Sequence, residues 1–168
     1  MFFAGDYPQE FNAIFGRRTI TAEPTVYVCA QDRGAGTTPA PGAAERLLVL
    51  INAPADGDLA PADAAATASL AERVAVVLGA CGLRLSGRLE DGVATTPSDF
   101  DGLFPASGGA LYGRANHGTF ASFRRSGARS RIPGLYLAGG SVHPGPGVPM
   151  AALSGRLAAA SLAEDFRA

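Results

Sequence analysis

Apolar residues in this chain come in short blocks whose period changes from one block to the next. Phe2 and Phe3 read as a strand, Tyr7 to Phe15 as an amphipathic turn or short helix, and "TVYVCA" (Thr25 to Ala30) as a β-rich segment. The polar, glycine- and proline-rich loop "QDRGAGTTPAPGAAE" follows, and then "RLLVLINAP", whose unbroken apolar run has the character of a central strand. From Pro61 to Leu78, an alanine-rich stretch carries Leu70, Val74, Val77 and Leu78 at helical spacing, which predicts a helix packed on one face. "GRLEDGVATTPSDF" predicts a strand near Arg88 to Ala94, then a helix capped by Thr96 or Ser98 before Phe100. A long irregular stretch, "FPASGGALYGRANHGTFASFRRSG", precedes the last block, "GLYLAGGSVHPGPGVPMAALSGRLAAA" (Gly134 to Ala160). There Leu135 to Ala138 predict a short buried parallel strand that hands over, through a glycine and proline elbow, to a helix of small residues.

The elbow has a physical logic of its own. Gly139, Gly140, Gly145 and Gly147 remove the Cβ atoms that would hold another molecule away from the backbone. Pro149 suits the first position of a helix, where its missing N–H costs nothing, and the free amides behind it favour an anion or an electron-rich oxygen. Ala151, Ala152, Ser154, Gly155 and Ala158 to Ala160 keep the helix thin enough to lie against a sheet or a flat ligand. A bound cofactor and a plain tight βα turn both fit these residues.

Composition narrows the choice. The 168 residues, 47% of them hydrophobic, suffice for one domain with its own core. A net charge of −1 gives no reason to expect nucleic acid, although all 14 basic residues are arginine. Cys29 and Cys81 lack the spacing of a zinc site or a disulfide framework and suit a reducing compartment. No run approaches the roughly 18 to 20 apolar residues of a membrane span, and the first residues lack a secretory pattern, so a cytoplasmic protein is expected. His117 and His143 have no HxH or HxxxH partner, so no metal is expected, and His143 either braces the elbow or touches a ligand. "GAGTTP" at Gly34 and "GPGVPM" at Gly145 both lack the third glycine of a dinucleotide fingerprint. Ser154, in "ALSGR", is not in a nucleophile elbow. Arg124, Arg125, Arg129 and Arg131 read as a solvated basic loop face, with an anionic contact as the other reading.

"TPSDFDGLFPASGGALYG" (Thr96 to Gly113) and "IPGLYLAGGSVHPGPGVP", in that order and spacing, resemble the C-terminal part of the bacterial-type carotenoid desaturases, the phytoene desaturase family of flavoproteins. The upstream segment from "DYPQEF" to "LINAP" is also similar, so the resemblance covers essentially the whole chain. "GGSVHPGPGVPM" looks most like the hydroxyneurosporene and methoxyneurosporene (1-hydroxycarotenoid) 3,4-desaturase branch.

The resemblance implies an α/β fragment: residues 1–105 as part of a substrate-binding mixed sheet, and 106–168 as the C-terminal strand, loop and helix of a Rossmann-like FAD-binding domain. It implies FAD near Gly139 and Gly140 at the phosphate and ribityl region, with Gly147, Val148 and Met150 offering backbone near the ring. Met150 is the expected donor because Pro149 has no N–H. The implied reaction is dehydrogenation of a C–C bond in an acyclic hydroxycarotenoid, aligned in an apolar, water-free site. Val26, Val28, Leu48 and Leu50 are then core or tunnel lining. Asp99, Arg114 and His117 are polar residues near the family block, and no catalytic acid or base stands out among them. The family's N-terminal GxGxxG unit is not in this sequence, so half of an FAD site is expected, inactive alone and completed by the missing Rossmann portion. Peripheral contact with the cytoplasmic or photosynthetic membrane is expected only because such substrates dissolve in lipid. A noncatalytic carotenoid- or partner-binding module and a fragment of another flavin amine oxidase remain as alternatives.

Overall fold

The computed structural model describes residues 1–34, 36, 38–59, 61, 63–113 and 124–167. They form two compact units, Met1–Gly109 and Ala110–Ala168.

In the first unit, helix α1 (Tyr7–Phe11) starts at Asp6, whose carboxylate accepts the Gln9 N–H at 3.0 Å, and runs on as a π-helical turn over Asn12–Arg17. Strands β1 (Val26–Ala30) and β2 (Leu47–Ile51) pair antiparallel with Val26 opposite Ile51 and Ala30 opposite Leu47. Phe2 bridges the other side of β1 through two main-chain bonds to Val26. Among the described residues the far edge of β2 has no strand partner. The long β1–β2 connection is clasped near its base by the ion pairs Asp32–Arg46 and Arg33–Glu45.

Helix α2 (Ala64–Ala80) is capped by Asp63 and ends where the left-handed Gly82 (φ +87°) lets the Leu83 N–H reach the Leu78 carbonyl and its own N–H reach Gly79. Its apolar face lies on the sheet. Val26, Val74 and Leu78 form the buried centre, with Leu70, Val77, Val28, Val49, Ile51 and Leu83 around it. The fully buried Leu78 and Val26 contribute about 1.5–3 kcal/mol each by the transfer of their side chains from water. Side chains of the same strands point alternately to the other face, so Tyr27, Leu48 and Leu50 stay 40–48% exposed. Of the four core-or-tunnel positions, Val26 and Val28 are therefore core, and Leu48 and Leu50 are not.

Several expectations need correction. The Arg88–Ala94 segment is no strand: it holds a 3-10 turn at Leu89–Asp91, its main chain closed locally by the Gly92 and Asp91 amides. "LLVLI" lies at the edge of an antiparallel pair instead of at the centre of a mixed sheet. Pro149 stands second, not first, in its helix. The segment after them behaves as expected: Thr96 caps helix α3 (Pro97–Leu103), in a reciprocal box with Asp99.

In the second unit, residues 128–130 and 135–137 pair antiparallel around a turn at Ile132–Leu135. The Leu135 N–H bonds the Ile132 carbonyl, with Pro133 and the left-handed Gly134 (φ +79°) at the corners, the signature of a type II turn. The Leu137 N–H to the Ala128 carbonyl continues the pairing, and the chain then turns at Gly139–Val142 before the His143 N–H reaches the Ser126 carbonyl. The elbow then leads into helix α4 (Val148–Asp165). Leu135 to Ala138 are thus not a buried parallel strand: they form one arm of this hairpin-like turn, and Leu135 is 45% exposed. Among the described residues no helix is long and apolar enough to cross a membrane.

Candidate functional site: the glycine elbow

The elbow spans Gly139 to Gly147, and α4 begins at its end. Gly139, Gly145 and Gly147 all have left-handed φ (+123°, +133° and +106°), so the path of the chain itself demands glycine there. Gly140 does not. A Cβ on it would make only ordinary contact with Pro146, at 3.7 Å, and one on Gly139 or Gly147 would meet no protein atom. The space outside these three glycines is open to a ligand. Elsewhere glycines serve packing: a Cβ on Gly109 or Gly57 would overlap the Pro97 main chain, and one on Gly113 would press on Ser141.

Gly147 is the cap of α4 and offers no side chain, so the first-turn amides of Val148 and Met150 lack the acceptor that a serine or aspartate would provide. Val148 is 86% exposed and Met150 43%. The expected cofactor-binding residues Gly139, Gly140, Gly147, Val148 and Met150 are brought together at one helix start. Open glycine backbone and unpaired amides are what the phosphate, ribityl and pyrimidine edge of a flavin would require, so the residues present fit FAD.

What holds the elbow in shape is less visible in the sequence. Ser154 is 1% exposed, and its Oγ accepts the Gly139 N–H at 2.7 Å while donating to the Ala151 carbonyl at 2.7 Å. It pins the first glycine to the second turn of the helix. Arg125, 8% exposed, donates from Nη1 to the carbonyls of Tyr112 (2.9 Å) and Gly140 (3.2 Å). The basic cluster is therefore not one solvated face: Arg125 is internal scaffolding, Arg124 and Arg131 are exposed, and Arg129 is paired. His143 braces through its main chain, donating to Ser126 at 2.9 Å. Asp99 is occupied in its helix cap, where the Thr96 N–H holds its carboxyl below the usual range. Arg114 and His117 lie outside the described residues.

Replacing Ser154 with alanine removes the partner of the part-buried Gly139 N–H, so a loss of about 1 kcal/mol in unfolding free energy is expected. Urea denaturation of the two proteins side by side measures it, and equal midpoints would refute the pinning role.

At the far end of α4, Arg129 donates to Asp165 (3.1 and 3.0 Å), to Glu164 (2.8 Å) and to the Ser161 carbonyl, and the Tyr136 hydroxyl donates to Asp165 at 2.7 Å. The cation offsets two carboxylates at a helix C-terminus, where they would otherwise face the negative end of the dipole. The Arg129 guanidinium, and then the Tyr136 hydroxyl, hold Asp165 below the ordinary carboxylate range, while Asp165 pushes the Tyr136 hydroxyl up. A depressed carboxyl stabilises the fold above its unfolded pKa, about 4, and the contribution disappears as pH falls through the lower folded value. Asp165→Asn should therefore lower the melting temperature slightly at pH 6, and the gap to the parent should close below about pH 4. Because the cluster is exposed, added salt should shrink it as well.

No family model matches the chain. Curated proteins do. A phytoene desaturase of Neurospora crassa is 26% identical over 174 residues, 98% of this chain and 28% of that protein. The chain is homologous to the carotenoid desaturases of the phytoene desaturase family and spans about a third of their length. More narrowly, it is similar to the hydroxyneurosporene desaturase of Rubrivivax gelatinosus, 53% identical over 165 residues, 96% of this chain and 31% of that protein. The 1-hydroxycarotenoid 3,4-desaturase of Flavobacterium sp. (strain P99-3) is 30% identical over 94% of this chain and 32% of its own length.

Proposed function

We propose that this chain is the C-terminal portion of an FAD-dependent carotenoid desaturase that dehydrogenates a C–C bond of an acyclic hydroxycarotenoid, and that its elbow is half of the flavin site. The observation that carries the reading is the open backbone at Gly139, Gly140 and Gly147 beside the unpaired amides of Val148 and Met150. When bound, FAD supplies the two-electron acceptor for such a dehydrogenation. The chain's own residues would hold it: Gly139 and Gly140 would give access to its phosphate and ribityl region, and Gly147, Val148 and Met150 would offer backbone near its ring. Ser154 and Arg125 keep that backbone in place before the cofactor arrives, which lowers the cost of ordering on binding.

Helix α4 supports the second half of the reading. Among its buried residues are two serines, Ser154 and Ser161, while Leu153, Leu157 and Leu162 are each about two-fifths exposed. Leu153 and Leu157, one turn apart and partly exposed, in a chain covering about a third of its relatives' length, suit a surface that the remaining Rossmann portion would cover. Alone, the chain is expected to hold FAD weakly and to desaturate nothing. The residue ranges 1–105 and 106–168 are proposed as the substrate-binding and FAD-binding contributions, at the cytoplasmic side of the membrane that dissolves the substrate.

Flavin absorbance after purification tests the proposal. Yellow protein is expected only when a GxGxxG-bearing N-terminal portion is co-expressed. Micromolar FAD binding by the isolated chain would overturn the half-site, and folded, colourless protein in both preparations would favour a noncatalytic module.

A further inference from the structure

Residues 112 and 113 are laid against the elbow. One nitrogen of Arg125, Nη1, donates to the carbonyls of Tyr112 (2.9 Å) and Gly140 (3.2 Å), so a single buried guanidinium fixes how far apart those two peptides stand. A second contact lies one residue on. A Cβ on Gly113 would meet the Ser141 Cβ at 2.7 Å, and Gly113 holds a left-handed φ of +68°, so glycine is what lets this backbone lie against residues 140–141.

The side chain carried along with that backbone has no other employment. Tyr112 is 64% exposed, and among the described residues its hydroxyl has no hydrogen-bond partner and its ring meets no other ring. An exposed ring by itself is ordinary; its address here is not. Gly140 is the elbow glycine whose φ does not require glycine, and a Cβ there would make only an ordinary contact with Pro146 at 3.7 Å, so its outer side is open to a ligand. Tyr112 is held one shared donor away from that residue, within the reach of a tyrosine side chain.

We propose that the Tyr112 ring forms a side wall of the flavin half-site, lying against the ring of a flavin whose ribityl region passes over Gly139 and Gly140. The cofactor half of this claim rests on the desaturase reading above; the placing of Tyr112 beside Gly140 does not. Such a wall covers apolar cofactor surface and keeps water from it, and the phenol adds an electron-rich neighbour that an aliphatic side chain would not.

The test uses the chain co-expressed with a GxGxxG-bearing N-terminal portion and follows three readings: flavin retained after dialysis, light emitted per bound flavin, and melting temperature. A phenol touching a flavin quenches its emission by giving an electron to the excited ring, whereas a benzene ring does not. Tyr112→Phe should therefore hold flavin within about twofold of the parent while emission per bound flavin rises at least about threefold, and Tyr112→Ala, which removes the ring, should retain about tenfold less. Neither variant should melt differently, because the groups lost are exposed and make no bond. Tyr27→Phe, at an exposed tyrosine of the other unit, is the control and should move none of the three readings. Yellow parent protein whose emission is unmoved by Tyr112→Phe, or whose retention is unmoved by Tyr112→Ala, overturns the wall and leaves the flavin reading standing. Colourless parent protein overturns the flavin reading, and this inference with it.

Discussion

Gly109→Ala is expected to cost the N-terminal unit about 3 kcal/mol or more. Two costs add at this position. Gly109 has φ +83°, a conformation that costs an alanine of order 1–3 kcal/mol, and the new Cβ would overlap the Pro97 main chain, which cannot step aside as a flexible side chain would. Pro97 is also approached by Gly57, whose N–H bonds the Gly108 carbonyl at 2.9 Å, so three stretches of backbone meet here without side chains between them. Against a total of about 5–15 kcal/mol for a domain, the loss is severe. Circular dichroism through a urea titration should show the drop. Gly79→Ala is the control: its Cβ meets nothing, and in α2 alanine should be neutral or gain up to about 1 kcal/mol. Similar midpoints for Gly109→Ala and the parent would mean that the three segments do not touch.

Gly140→Ala should do the reverse, sparing the fold and damaging the site. Gly140 has no left-handed φ, and the added methyl group would make only an ordinary contact with Pro146, so stability should change by less than about 0.5 kcal/mol. On the proposed reading, in an assembly with an N-terminal GxGxxG portion, the same methyl group would stand in the approach to the flavin. Retention of flavin should fall at least about tenfold, and desaturation with it. Equilibrium dialysis against FAD, run beside a melting curve of the same sample, separates the two effects. Unchanged retention would remove Gly140 from the site. Gly139→Ala is a poorer test, because its φ of +123° would strain the fold whatever the ligand does.

The sequence announces those elements whose signal is local. Leu70, Val74, Val77 and Leu78 mark the packed face of α2 by their spacing alone, and a cap at Thr96 or Ser98 before Phe100 marks a helix start, which the structure places at Thr96. The antiparallel pairing of β1 with β2 was not legible, because a run such as Leu47–Ile51 looks the same at the centre of a sheet and at its edge. Leu135 to Ala138 misled for a related reason: Pro133 and Gly134 turn the chain just before them, and that turn commits the run to pairing backwards on residues 128–130. The glycines of the elbow could be read as a place for close approach, since only their absence of Cβ matters. Ser154 and Arg125 could not. Each owes its role to a partner 15 or more residues away along the chain in at least one bond, and nothing in the neighbouring sequence distinguishes a buried serine from a solvated one.

The open edge of β2 has a consequence outside catalysis. Among the described residues no strand pairs with it from Leu47 to Ile51, the exposed Leu47, Leu48 and Leu50 lie along it, and charge stands only at its start, at Glu45 and Arg46. Proteins usually blunt such edges with lysine, proline or a bulge, and five apolar residues without a charge are an efficient template for adding another copy. Copies of this chain are therefore expected to associate through β2, at a rate that rises with protein concentration, and light scattering across a dilution series measures it.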